Sequence, residues 1–154
     1  MCGDRLPTDH ELAGWLADVS IPLAHRVLWR LLDESEVRIG DLLNLNVRDL
    51  ALDDQTVHIA ESKEGPKDVG ITQEAAAGLQ RLIGTRREGP VFLGPTASRL
   101  TSSRAAETFW SVTGRSLHVL QYGRQARQHP NPTGRIPRIL HRTLARELTD
   151  APWE

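Results

Sequence analysis

The chain has 154 residues, of which 39% are hydrophobic and 25% are charged, and its formal net charge is −1. These values are typical of a single soluble globular domain, and no apolar run reaches the roughly 20 residues that a membrane-spanning helix requires. The N-terminal residues lack the apolar core of a signal peptide, and the single cysteine, Cys2, cannot form an internal disulfide. We therefore expect a cytoplasmic protein with no membrane partner.

The charges are distributed unevenly along the chain. Residues 1–107 contain 12 basic and 17 acidic side chains, whereas residues 108–146 contain seven arginines and no acidic residue. A basic segment of this kind can bind nucleic acid, because arginine neutralises backbone phosphates. It is also typical of a solvated or disordered tail, so the charge pattern alone leaves both interpretations open.

Three helices are predicted in the first third of the chain. Thr8 is followed by apolar residues at helical spacing, which predicts a short capped helix that begins near Asp9. The apolar stripe over 24–32 predicts a second helix with one buried face. A third apolar stripe over 39–45 follows the short acidic link 33–37, which indicates two helices that meet at an angle.

A β-hairpin is predicted next, because the period of the apolar residues changes from 3.6 to 2. Residues 56–60 and 68–71 alternate like strands, and residues 62–67 between them have the composition of a turn. Lys63 lies on this turn, so that the hairpin is expected to present a lysine at its tip.

Further helices are predicted beyond the hairpin. Thr72 caps a helix over 73–83, and Leu100 opens another helix that includes Phe109. The fold class that we predict is therefore mainly α with one small antiparallel sheet, an α+β protein.

The composition changes at the C-terminal end of the chain. Prolines, glycines and arginines replace most apolar side chains from residue 123 onward, which predicts a loop or a disordered segment, with a short helix over 139–148. We expect a domain over 1–122 and a basic, Pro/Arg-rich tail over 123–154.

Three segments in a fixed order carry a family resemblance. The first is Val37-Arg38-Ile39-Gly40-Asp41-Leu42-Leu43-Asn44-Leu45, the second is the lysine hairpin over 60–72, and the third is His118-Val119-Leu120. The first resembles the Leu-Arg-Ile-Ser-Glu-Leu-Leu-x-Leu box of the tyrosine recombinases, the phage-integrase family, and the third resembles the start of that family's His-x-Leu-Arg-His box. The resemblance covers about residues 10–120, and it implies a partial tyrosine-recombinase catalytic domain.

The chemistry of that family gives the matching residues their expected roles. A tyrosine hydroxyl attacks a DNA phosphodiester and forms a phosphotyrosyl intermediate, while arginines bind the non-bridging oxygens and a lysine protonates the leaving 5′-oxygen. The resemblance implies that Arg38 is the first arginine and Lys63 the leaving-group acid, with Lys67 in reserve. It places His118 in the second box and Asp41 as the acidic residue that orients the first box.

The resemblance also implies the partners of the chain. Double-stranded DNA is the expected partner, a full-length recombinase is a second candidate, and neither a metal nor another cofactor is expected. The candidate residues for binding DNA phosphates are Arg38, Lys63, Lys67, Arg115 and Arg124.

The sequence departs from the family pattern at two places. Gln121 stands where the second box has its arginine, and the single tyrosine, Tyr122, adjoins that box instead of following it by a few tens of residues. We therefore do not assign Tyr122 as the nucleophile. One hypothesis for the change of composition after Leu120 is a truncated or frame-shifted gene.

These departures shape the expected function. We expect an integrase-like protein that binds DNA but cannot cut it alone. Two alternatives stay open: a small DNA-binding or regulatory module that docks on a full-length recombinase, and a helical interaction protein unrelated to DNA. Each candidate residue also has an ordinary structural explanation, since an arginine on a helix, a lysine on a turn and a histidine on an apolar stripe are common in any protein.

Overall fold

The computed structural model describes residues 6–62 and 65–121, and it confirms the predicted α+β class. In this part of the chain no helix has the length and apolar character needed to cross a membrane. The elements in chain order are α1 (Asp9–Ala17), α2 (Leu23–Glu34), α3 (Ile39–Leu43), β1 (Leu50–Ala51), β2 (Thr56–Ile59), β3 (Lys67–Gly70), α4 (Gln73–Ile83) and α5 (Ser102–Thr113). The tail and the short helix that we predict over 123–154 lie outside the described residues.

The sheet has three antiparallel strands in the order β1-β2-β3. In the predicted hairpin of β2 and β3, Val57 pairs with Val69 and Ile59 pairs with Lys67. Val57 and Ile59 are buried on one face, whereas His58 between them is exposed. The first strand was not predicted, because a strand of two residues is too short to show a period of two.

Threonine side chains determine where three of the helices begin. The Thr8 hydroxyl accepts a hydrogen bond from the Glu11 backbone N–H, and the Glu11 carboxylate accepts one from the Thr8 N–H, both at 3.0 Å. This reciprocal pair is a capping box, which satisfies two backbone donors that a helix start would otherwise leave unpaired. Thr72 and Thr101 cap α4 and α5 through their hydroxyl oxygens.

An aromatic cluster joins α1, α2 and α5 at the centre of the core. The ring of Phe109 lies edge-on to Trp29, with 5.0 Å between the ring centroids, and edge-on to Trp15 at 5.7 Å. Such perpendicular pairs are a favourable arrangement of aromatic quadrupoles. Phe109 and Trp29 have no exposed surface, so this cluster holds the three helices together.

His25 is a buried polar side chain in the first turn of α2. It is 7% exposed, and its Nδ1 atom has no hydrogen-bond partner among the described residues. Burial lowers the pKa of His25, and the positive charge of Arg104 on α5 lowers it further. The folded protein therefore binds a proton at His25 less readily than the unfolded chain does.

We expect the free energy of unfolding to fall as the pH is lowered through the ordinary histidine pKa of about 6.5. Below that pH the unfolded chain binds more protons than the folded one, so stability is lost at up to about 1.4 kcal/mol per pH unit. Chemical unfolding of the wild-type protein and of the variant His25→Asn at several pH values checks this expectation. The variant should show the shallower pH dependence, and equal slopes would contradict the assignment.

Candidate functional site

Arg38 lies at the boundary between a buried link and α3. It is the residue immediately before α3, with extended backbone angles of φ −72° and ψ 154°. Its neighbour Val37 is buried, as are Leu42 and Leu43 on the inner face of α3, which leaves Arg38 on the solvent side. The Arg38 side chain is exposed and forms no hydrogen bond or ion pair with the described residues. This guanidinium is therefore available to an external anion.

The second predicted box packs against the start of the first one. The Gln121 side chain donates a hydrogen bond from Nε2 to the Val37 carbonyl at 2.5 Å. Val119 and Leu120 anchor this segment because both have no exposed surface, while His118 is half-buried. The contact puts the side chain of Gln121 beside the backbone of Val37, the residue that precedes Arg38.

A cleft of about 380 Å³ separates α3 from the end of β2. Asp41 of α3 borders it, and its carboxylate forms no hydrogen bond or ion pair with the described residues, so its predicted role in orienting the box stays a prediction. Polar and charged side chains supply most of the lining: Asp41, Asn44, Asn46, Arg48, Asp49, His58, Glu61 and Arg99. The first box and the strand that leads to the hairpin turn thus share one polar cleft.

The hairpin turn contains the predicted lysine. Lys63 lies outside the described residues, between Ser62 and Gly65. The Gly65 N–H donates to the Ser62 carbonyl at 3.0 Å, and the Ser62 hydroxyl donates to the Gly65 carbonyl. Gly65 has φ +91°, a conformation that favours glycine. Lys67, the reserve candidate, is half-buried at the start of β3.

We predicted Arg115 as a phosphate-binding residue on the surface, but the structure buries it. It is 5% exposed, and its guanidinium binds the Glu11 carboxylate through two hydrogen bonds of 2.7 and 3.3 Å. The same group lies 5.6 Å from the ring centroid of Trp15. Arg115 is therefore an internal ion-pair residue and does not belong to an exposed basic surface. Arg124, the last member of the predicted set, lies outside the described residues.

Asp41 is the one polar residue of the cleft that was predicted as a site residue from the sequence, and Arg48 and His58 are two of those that were not. Arg48 is exposed in the 3₁₀ turn Val47–Asp49 that follows α3. His58 lies opposite Asp68 in the hairpin register, and its Nδ1 is 2.8 Å from an Asp68 carboxylate oxygen. The cross-strand pair could have been found from the sequence if the register had been known.

Arg99 has a structural role at the wall of the cleft. Its guanidinium donates to the carbonyls of Leu43 and Leu45 at 2.8 and 3.2 Å, and to the Asn46 side-chain oxygen at 2.6 Å. It thereby satisfies the Leu43 carbonyl at the C-terminal end of α3, whereas the Leu45 carbonyl also accepts a hydrogen bond from the Val91 N–H. Within the described residues, no group of three His, Cys, Asp or Glu side chains is arranged to hold a metal ion.

Comparisons with known proteins identify the fold. No protein-family model matches the sequence, and no curated protein is similar to it. Among solved structures, the XerA recombinase superposes with a TM-score of 0.67 at 14% identity, over 96% of this chain and 63% of that chain. The DNA-bound lambda integrase (residues 75–356) superposes with a TM-score of 0.61 at 18% identity, over 88% of this chain and 55% of that chain.

A third solved structure has the same fold. The integrase of the transposon Tn1549, in complex with transposon right-end DNA, superposes with a TM-score of 0.61 at 15% identity, over 84% of this chain and 55% of that chain. The chain therefore spans between half and two thirds of the length of these proteins. These comparisons show that it has the fold of the tyrosine-recombinase catalytic domain, and they confirm the resemblance predicted from the sequence at the level of the fold.

Proposed function

We propose that this chain binds the phosphate backbone of double-stranded DNA and does not cut DNA alone. A shared fold by itself does not establish a function, so the proposal depends on the site. The observation that carries it is the exposed guanidinium of Arg38, which no described residue neutralises. Two of the superposed integrases are described in complex with DNA, which supports the same class of partner.

Four of the remaining candidate residues have a part in this proposal. Lys63, Lys67 and Arg124 would contribute further positive charge to the backbone contact, and His118 would donate a hydrogen bond to a phosphate. Arg115 is not included, because Glu11 already neutralises it inside the protein.

The proposed lack of strand cleavage depends on two features: the single tyrosine, Tyr122, is not at the position expected of the nucleophile, and position 121 carries a neutral amide. In the family resemblance this position belongs to an arginine that stabilises the transition state. Gln121 has no charge to supply, and its side-chain Nε2 already donates one hydrogen bond to the Val37 carbonyl. The loss of one such donor typically raises a barrier by about 2.7–4 kcal/mol, a factor of roughly 10²–10³ in rate.

We expect the variant Arg38→Ala to bind a short DNA duplex roughly 10- to 150-fold more weakly than the wild type. A charge-assisted hydrogen bond to phosphate is worth about 1.5–3 kcal/mol, and the loss of one phosphate contact reduces the slope of log K against log salt by about 0.9. Fluorescence anisotropy with a labelled duplex at several salt concentrations measures both quantities.

The matched control for this experiment is Arg87→Ala. Arg87 is also exposed and follows α4 in the chain, so its removal changes the net charge by the same amount. Equal losses for the two variants would mean that Arg38 contributes only general charge. Absence of any binding by the wild type at low salt would reject the proposal and favour the protein-interaction alternative.

A further inference from the structure

We propose that Gln121 is a positioning residue for Arg38, a role that rests on the proposed binding of DNA phosphate by Arg38. Its side chain is partly buried, and its amide is engaged with the protein instead of being presented as a substitute for a catalytic group. The amide instead donates to the Val37 carbonyl, across 84 positions of sequence. In the family pattern this position belongs to an arginine that binds the phosphate. Here Gln121 instead restrains the backbone next to Arg38, the arginine of the first box.

The link between α2 and α3 shows why this one bond matters. The Ser35 hydroxyl donates to the Leu31 carbonyl at 2.6 Å, and the Val37 N–H donates to the Ser35 oxygen at 3.4 Å. The Val37 side chain is 2% exposed and anchors the link in the core. The bond from Gln121 then occupies the Val37 carbonyl, so that the backbone groups on both sides of the Val37 Cα atom are held by side chains.

The consequence for Arg38 follows from the chain geometry. The peptide unit whose carbonyl Gln121 binds is the one that joins Val37 to Arg38. A bond to this carbonyl restricts rotation of the planar unit, and hence the direction in which the Arg38 side chain leaves the backbone. The long Arg38 side chain forms no bond to described residues, so the backbone is the part of this residue that the fold can preorganise.

Removal of the amide should therefore weaken phosphate binding through Arg38 specifically. The variant Gln121→Met has a similar length but lacks a donor, and it leaves the net charge unchanged. In a double-mutant cycle, affinity for a short fluorescein-labelled DNA duplex is measured for the wild type, Arg38→Ala, Gln121→Met and the double variant. The effect of Arg38→Ala should be about fivefold smaller in the Gln121→Met background than in the wild type.

The control cycle replaces Arg38→Ala by Arg87→Ala. This second arginine is exposed but has no described contact with the Val37 link, so its effect should be the same in both backgrounds. An equal effect of Arg38→Ala in both backgrounds would overturn the positioning role and leave the proposed function intact. No effect of Arg38→Ala in the wild type would overturn the proposed function, and the positioning role with it.

A second measurement tests the same inference without DNA. The Leu42 N–H donates to the Arg38 carbonyl and belongs to the first turn of α3. Its hydrogen exchange should be faster in Gln121→Met, while exchange within α4 stays unchanged. Unchanged exchange at the Leu42 N–H would contradict the proposed restraint. If Gln121→Met does not fold, the variant Gln121→Glu provides the same test, because its side chain also lacks an N–H donor.

Discussion

Replacement of Phe109 by alanine is expected to lower the free energy of unfolding by about 3–5 kcal/mol. Phe109 has no exposed surface and contacts the rings of both Trp15 and Trp29 at centroid distances of 5.7 and 5.0 Å. The substitution removes the buried ring and leaves a cavity, because two large rings on separate helices cannot close the gap without moving α1 or α2. A loss of this size is a large fraction of the stability of an ordinary domain.

The neighbouring residue on α5 provides a matched control. Trp110 is 57% exposed, so the variant Trp110→Ala deletes an even larger aromatic ring outside the core and should change the stability by no more than about 0.5 kcal/mol. Urea unfolding followed by circular dichroism measures both variants. Similar losses for the two substitutions would contradict the packing of α5 described above.

Replacement of Arg115 by methionine should cost about 2–3 kcal/mol of stability, between the values for exposed and for fully buried ion pairs. Two hydrogen bonds join its guanidinium to Glu11, whose side chain retains 29% exposure. Loss of the arginine removes this ion pair from the Glu11 carboxylate and the cation from the face of the Trp15 ring, so electrostatic and packing contributions are both lost.

The matched comparison is the variant Arg30→Met. Arg30 pairs with Glu34 one helical turn along α2, but both side chains are partly exposed, at 31% and 25%. Pairs of this type contribute about 0.3–0.5 kcal/mol, so this variant should be nearly as stable as the wild type. Thermal or urea unfolding measures the stability of both variants. A smaller loss of stability for Arg115→Met than for Arg30→Met would contradict the account.

Local features of the sequence predicted much of the fold. The helix α4 spans Gln73–Ile83, the predicted range, because a threonine cap and a regular apolar stripe are both local signals. The hairpin was predicted for the same reason, since alternation and turn residues lie within about 15 positions. The two-residue strand β1 depends on pairing with β2, and a stretch of two residues is too short to show a pattern that indicates a strand.

The candidate site was harder to predict, because its contacts join distant parts of the chain. The sequence predicted that Arg38 lies at the start of a helix, as it does in the structure, and its role in the site stays a prediction; its exposure and its lack of a described partner required the structure. Arg115 looked like a member of a basic segment, yet its partner Glu11 lies 104 positions earlier. The bond between Gln121 and Val37 joins residues 84 positions apart, so neither residue indicated the other from sequence alone.

The central claim is that this chain binds DNA without forming a covalent bond to it. A nicked suicide duplex, which traps a phosphotyrosyl intermediate if cleavage occurs, tests the claim most directly. The full chain is incubated with the labelled duplex, and the products are separated on native and on denaturing gels. We predict a salt-sensitive complex on the native gel and only free DNA after denaturation. A protein–DNA adduct that survives denaturation and disappears in the variant Tyr122→Phe would contradict the account.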